Sequence, residues 1–194
     1  QMMKNINNNK LLIGLAFLNN LRDMLHLREL ERQTKLDIKT IHIETKQLLD
    51  MNILNFKPKG NMKLFFLKNT FETFNFIIIV ETYKALKFIN LHKKLKLMFN
   101  ELSKLSDFLV FGSYASNTQT KDSDIDLVIF SNKNPKIKKT LNNYDNNIHT
   151  QFILFNEFKK KLKSKDPLAI EIFNNHVLFG KHKNFAEIIQ KWIN

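Results

Sequence analysis

The stretch FLVFGSYASNTQTKDSDIDLVIF, residues 108–130, constrains this chain more than any other. Two apolar runs, FLVFG and IDLVIF, enclose a polar insert, and the second run carries aspartates two residues apart. Residues two apart in a strand face the same side. Asp124 and Asp126 therefore share one face, and Ile125, Leu127 and Ile129 share the other. The apolar face must pack under helices. The carboxylate face must be wet, paired or metal-bound, because two like charges this close repel. A hard cation such as Mg²⁺ takes carboxylate oxygens and is usually shared with substrate phosphates. At the end of the first run, Gly112 allows close backbone approach, and a strand-to-helix turn points free N–H groups at a phosphate. The Ser113 hydroxyl adds a donor. A lone Asp-x-Asp or a lone Gly-Ser is common and says little. Ten residues apart, with strand patterns on both sides, they place phosphate donors beside metal acceptors. Phosphoryl transfer needs little beyond such positioning and charge neutralisation.

The rest of the chain reads as helices with one early hairpin. Residues 10–20 and about 25–33 read as helices, and Asp37 as the N-cap of a third, DIKTIHIETKQLLDM. The runs ILNF and KLFFL then surround a turn built from Pro58 and Gly60. Residues 71–105 have helical periodicity and neither Gly nor Pro, with a break expected near Asn90–His92. After the central stretch, Pro135 opens a helix over residues 135–146, IHTQFILF reads as a third strand, and the remainder as two or three helices. Pro167 opens one of these and Gly180 marks a turn. The expected fold class is α+β, in three parts: residues 1–70, a helical connector at 71–105, and a small mixed β-sheet flanked by helices at 106–194.

Composition narrows the functional classes. The 194 residues contain 43% hydrophobic side chains, 18 Phe and only 4 Gly, which allows a real core and favours helices over a turn-rich all-β fold. With no Cys there is neither a disulfide framework nor a thiolate metal site, which fits the cytoplasm. The formal net charge is +13, divided as +6 over residues 1–70, +3 over 71–105 and +4 over 106–194. A charge spread this evenly favours polyanionic partners, nucleic acid or nucleotide phosphates; a compositional bias toward Lys and Asn is the plain alternative. The start, QMMKNINNNK, lacks the pattern of a secretory leader. FIIIV at 76–80 is too short to span a bilayer.

The unit GS-YASNTQTKDS-DID resembles the minimal nucleotidyltransferases of the DNA polymerase beta-like superfamily, whose signature is Gly-Ser, ten residues, Asp-x-Asp. The resemblance extends over roughly residues 105–194, including the ending DPLAIEIFNNHVLFGKHKNFAEIIQKW with its LFG turn. It implies transfer of a nucleoside monophosphate from an NTP to an acceptor hydroxyl. Asp124 and Asp126 would act as catalytic and metal-binding residues for Mg²⁺ or Mn²⁺, and Gly112 and Ser113 would bind the nucleotide. Two departures stand out. Ser116 and Asn117 replace the basic-Gly pair common in the insert, so Lys121 is the candidate phosphate-facing cation. Active members usually carry a third carboxylate on the next strand. IHTQFILF offers His149 and Gln151 on one face, while Asp145 precedes it and Glu157 follows it.

Three helices followed by a hairpin is the order of a winged helix-turn-helix, and a fusion of this kind resembles one found among archaeal proteins. In that reading the third helix presents Lys39, Thr40, His42 and Lys46 to DNA, and Lys57, Lys59 and Lys63 on the hairpin meet phosphates. The expected partners are an NTP, nucleic acid through the N-terminal part, a protein acceptor such as a toxin, and a second copy of the chain in a homodimer. The rival reading is a DNA-binding regulator whose transferase part is degenerate and senses nucleotide. A third is an RNA-directed transferase.

Overall fold

The computed structural model describes residues 6–21, 23–144 and 147–193. The chain forms two compact units, residues 1–83 with 183–194, and residues 84–182.

In the first unit α1 (Asn8–Leu18), α2 (Leu27–Thr34) and α3 (Ile38–Asp50) precede an antiparallel hairpin, β1 (Leu54–Lys59) and β2 (Met62–Leu67). Asp37 caps α3 as expected: its Oδ1 accepts from the Thr40 amide at 2.9 Å and its Oδ2 from the Thr40 hydroxyl at 2.5 Å. Leu25, just before α2, exchanges backbone hydrogen bonds with Phe65 at 2.9 and 2.8 Å, so a one-residue bridge adds to the hairpin. The hairpin turns at Gly60–Asn61 and not at Pro58. Pro58 lies within β1 opposite Lys63, where a two-stranded ribbon tolerates a residue without an N–H. Ile13, Phe17, Leu30, Ile41, Leu48 and Ile53 form the interior with Phe76, Ile77 and Val80 from the first part of α4 (Phe71–Leu91). A Cβ on Gly14 would lie 2.5 Å from Val80 Cγ2, so α1 can approach α4 this closely only with glycine there.

Among the described residues, this unit buries an ion pair. Lys10 Nζ lies 2.5 Å from Glu44 Oε2 and also donates to Gln47 Oε1 at 2.5 Å. Asn7 donates to the other carboxylate oxygen at 2.7 Å. Burial alone would raise the pKa of Glu44, but the Lys10 and Asn7 hydrogen bonds outweigh it and hold the carboxyl below its ordinary value. The helical pattern of α3 did not reveal this, because position 44 falls on the inward stripe where an apolar residue is the rule.

In the second unit the end of α4, a 3₁₀ turn at Lys93–Leu95 and α5 (Lys96–Ser103) precede the sheet, which matches the expected break near Asn90–His92. The sheet contains β3 (Phe108–Phe111), β4 (Ile125–Ile129), β5 (Ile148–Phe152) and β6 (Val177–Phe179), in the order β5-β4-β3-β6. Only β4 and β5 are parallel, joined by the crossover helix α7 (Pro135–Leu141); β3 is antiparallel to both neighbours. One face buries Phe108, Val110, Ile125, Leu127 and Val177 against Phe88, Met98, Phe99, Leu102, Ile137 and Leu141. On the other side α8 (Phe155–Lys163) brings Phe155 and Phe158 to 5.2 and 5.7 Å from the Phe130 ring. Then come α9 (Pro167–Asn174), β6 and α10 (His182–Trp192), whose residues from 183 onward belong to the first unit.

Strand β6 stands where only helices and the LFG turn are expected, since three apolar residues carry no usable period. It pairs with the open edge of β3 and ends at Gly180 (φ +90°), where a Cβ would lie 1.9 Å from Asp107 Oδ1. Lys181 Nζ closes the turn on Asp107 Oδ2 at 3.0 Å. Among the described residues, no helix is long and apolar enough to cross a membrane.

Candidate active site

The site is assembled where β3 ends. Phe111 is still extended, Gly112 turns to φ +67°, and a short helix, α6 (Gly112–Ser116), follows at once. Tyr114 and Ala115 anchor α6 to the core beneath. Asn117 ends it at φ +55°, the left-handed conformation that Asn tolerates best after Gly. The insert is held by its own hydroxyls and amides: Thr118 N–H donates to the Ser113 carbonyl at 3.0 Å, and Thr120 N–H to Ser123 Oγ at 2.8 Å.

Asp124 stands immediately before β4 and Asp126 lies within it. Ile125 and Leu127 are buried, so the alternation turns both carboxylates out of the core, about a third exposed (side chains 36% and 29%). Asp126 pairs with Phe111 on one side and with His149 on the other. Its carboxylate also lies against Gly112: a Cβ there would sit 2.5 Å from Asp126 Oδ2. Gly112 is thus glycine for two reasons, the positive φ and the carboxylate packed on its α-carbon.

His149 completes the cluster from β5, with Nδ1 3.6 Å from Asp124 Oδ2 and 3.6 Å from Asp126 Oδ1. The neighbouring strand therefore presents an imidazole to the acid pair. Gln151 lies two residues farther along, opposite Val128. Glu157 serves elsewhere, its Oε2 accepting the Leu154 N–H at 3.3 Å at the start of α8. Asp145 lies outside the described residues. Lys121 is exposed in the turn before β4 and forms no ion pair with either carboxylate.

Sequence reasoning missed His92, which follows α4 directly. Its ring packs on Phe88 (4.4 Å between centroids) and on Tyr114 of α6 (5.4 Å). Its buried Nε2 has no hydrogen-bond partner among the described residues, and burial lowers its pKa from the ordinary 6.5. The His92 ring is thus part of the support under α6. Only the Asn90–His92 break pointed toward this position.

Among the described residues, no three His, Asp or Glu side chains form a ready-made metal cage. Two adjacent carboxylates still fit a hard divalent cation such as Mg²⁺, which is typically held by one or two carboxylates with waters and substrate phosphates completing the shell.

In the first unit, Lys39, His42 and Lys46 are exposed along one stripe of α3. Thr40 lies on the cap, its hydroxyl donated to Asp37. Lys57 and Lys59 are exposed on β1.

Residues 92–191 match the family model described as Nucleotidyltransferase domain. The match covers just over half of the chain, and the protein belongs to this family. No curated protein and no solved structure matches the chain.

Proposed function

We propose that this protein transfers a nucleoside monophosphate from an NTP to an acceptor hydroxyl, with Asp124 and Asp126 as its catalytic carboxylates. The observation that carries the reading is the packing of the Asp126 carboxylate on Gly112 beside Asp124, which puts metal acceptors and the Gly-Ser turn in one place. Asp124 and Asp126 would hold Mg²⁺ or Mn²⁺. Bound there, the cation neutralises the triphosphate and its leaving group. Ser113 Oγ and the backbone of the turn at Gly112 bind the β- and γ-phosphates, and exposed Lys121 adds a cation on the phosphate side. The acceptor oxygen forms its bond to the α-phosphorus while the bond from that phosphorus to the bridging oxygen breaks. Pyrophosphate leaves with that electron pair, and the hydroxyl proton is released.

The N-terminal unit is read as a winged helix-turn-helix that binds DNA. Its support is the order α1, the Leu25–Phe65 bridge, α2, α3, β1, β2, together with the exposed cations of α3. Lys39, His42 and Lys46 are the helix residues proposed to meet DNA. Thr40 joins them from the first turn, its hydroxyl held by the Asp37 cap, and Lys57, Lys59 and Lys63 are the hairpin candidates. A protein acceptor, such as a toxin modified by its partner, fits the same chemistry.

A second reading, a DNA-binding regulator that binds nucleotide without turnover, draws on His149 standing where the family resemblance expects a carboxylate. One experiment separates the two. Purified protein is incubated with labelled NTPs and Mg²⁺ or Mn²⁺, with and without cell extract, beside the Asp124→Asn/Asp126→Asn variant. Metal-dependent labelling lost in the variant supports the transferase. Equal NTP affinity in both proteins by calorimetry, with no labelling, removes it.

A further inference from the structure

Helix α3 and the hairpin enclose a groove of about 920 Å³ in the first unit. Its walls come from the start of α2, from α3 and from β2. His26, Arg28, His42, Lys46 and Lys63 line it, and no carboxylate does. Of the acids on or capping the helices that wall it, Glu31 and Asp50 are not among its lining residues, and the other three are engaged elsewhere. Glu29 pairs with Arg32 at 2.6 Å, Asp37 caps α3, and Glu44 is turned inward to Lys10.

The hairpin register divides its lysines between two faces. Pro58 pairs with Lys63 and Phe56 with Phe65, so Lys63 shares the Phe65 face that lines the groove. Its ammonium lies over the Phe56 ring at 4.5 Å. Lys57 and Lys59 pair with Leu64 and Met62 and alternate to the reverse face, where Lys57 lies over the Phe66 ring at 5.8 Å. Lys63 thus lines the groove together with His42 and Lys46, whereas Lys57 and Lys59 are not among its lining residues.

We propose that this groove, and not the reverse face of the hairpin, holds the phosphodiester backbone of a nucleic acid. The inference rests on the nucleic-acid reading of this unit and redraws its contact set: Arg28 enters, Lys63 stays, and Lys57 and Lys59 move to its margin. A repeating anion suits the site better than a single phosphate. On α3 alone His42 and Lys46 are about 6 Å apart along the helix axis, and Arg28 and Lys63 stand on the other walls. Cations on opposite walls neutralise successive phosphates and release their counterions.

The test compares two variants of the full chain that each remove two positive charges, Arg28→Gln/Lys63→Gln and Lys57→Gln/Lys59→Gln. Binding of a short labelled duplex, and of one of its single strands, is followed by fluorescence anisotropy across a salt series. The groove pair is expected to lower the slope of log affinity against log salt by about two. The reverse-face pair is expected to lower it by less than one. Whichever oligonucleotide shows the loss identifies the form of nucleic acid bound. Circular dichroism checks the fold, and Lys46→Gln, on the opposite wall, supplies an independent loss of about one. Equal losses from both pairs, or a larger loss from Lys57 and Lys59, overturn the groove and leave the nucleic-acid reading intact. Absence of binding by the unmodified chain at low salt removes that reading and the groove with it.

Discussion

Asp126 and His149 stand opposite each other on the parallel strands β4 and β5, and the His149 Nδ1 lies 3.6 Å from Oδ1 of Asp126 and 3.6 Å from Oδ2 of Asp124. The strand next to the acid pair thus delivers an imidazole to the place from which a third carboxylate would act. Residue 149, and not residue 151, is the position from which that strand reaches the acids.

His149→Asp is therefore expected to raise the rate of Mg²⁺-dependent transfer without tightening NTP binding much, since rate depends on the acceptor hydroxyl more than on the nucleotide. Gln151→Asp, opposite Val128, should leave the rate unchanged. His149→Ala should lower it by about a hundredfold, the lower end for a positioned proton acceptor. A labelled-NTP transfer assay on the four proteins, with calorimetric NTP affinities alongside, decides this. An unchanged rate in His149→Ala would make the imidazole a bystander.

Gly112→Ala tests the junction of the two halves of the site. The new Cβ would meet Asp126 Oδ2 at 2.5 Å and would hold a non-glycine residue at φ +67°. The expected cost is about 1–3 kcal/mol of stability, read by urea unfolding. Metal-dependent NTP binding should fall further than in Ser113→Ala, which loses one hydrogen bond worth about 0.5–3 kcal/mol. Equal binding losses in the two variants would show that Asp126 moves aside without consequence.

Lys10→Met leaves the Glu44 carboxylate buried without its cation. Breaking a buried pair in this way costs about 3–5 kcal/mol. Adding Glu44→Leu to Lys10→Met should restore most of the loss, because the apolar replacement needs no desolvation. Thermal or chemical unfolding of the single and double variants measures both terms. A double variant no more stable than Lys10→Met would show that the surrounding amides, Asn7 and Gln47, depend on the charges.

His92 predicts a pH dependence whose sign follows from burial. Its pKa is lowered in the folded chain from the ordinary 6.5, so the unfolded chain binds the proton more tightly. Stability from this group is fully present above about pH 6.5 and is lost as pH falls from there through the lower folded value. Melting temperature should therefore decline between pH 7 and pH 5.5, and His92→Phe should flatten the decline. Keeping the range above pH 5.5 separates His92 from Glu44, whose lowered pKa contributes stability that is lost only in more acidic solution. An identical decline in His92→Phe would assign it to another group.

Much of the second unit was legible in the sequence because its signals are local. The alternation around Asp124 and Asp126 fixed which side chains enter the core, and Gly112, Pro135 and Asp166–Pro167 marked where helices begin. The Asp37 cap and the break before His92 were readable for the same reason, since caps and breaks act within one helical turn. The family signature added the chemistry to that framework.

What the sequence did not determine depends on which segments meet. Strand β6 exists because Val177–Phe179 finds the open edge of β3, and three residues alone show no period. The placement of His149 beside Asp126, and not Gln151, is a matter of register between strands separated by a crossover helix, set by packing on both faces of the sheet. The hairpin lysines look equivalent in sequence, and only pairing sends Lys63 to one face and Lys57 and Lys59 to the other. Composition and short-range pattern specified most of the elements and the candidate site residues; tertiary packing added β6 and chose their neighbours, because contacts between distant segments follow from the shapes they bury together.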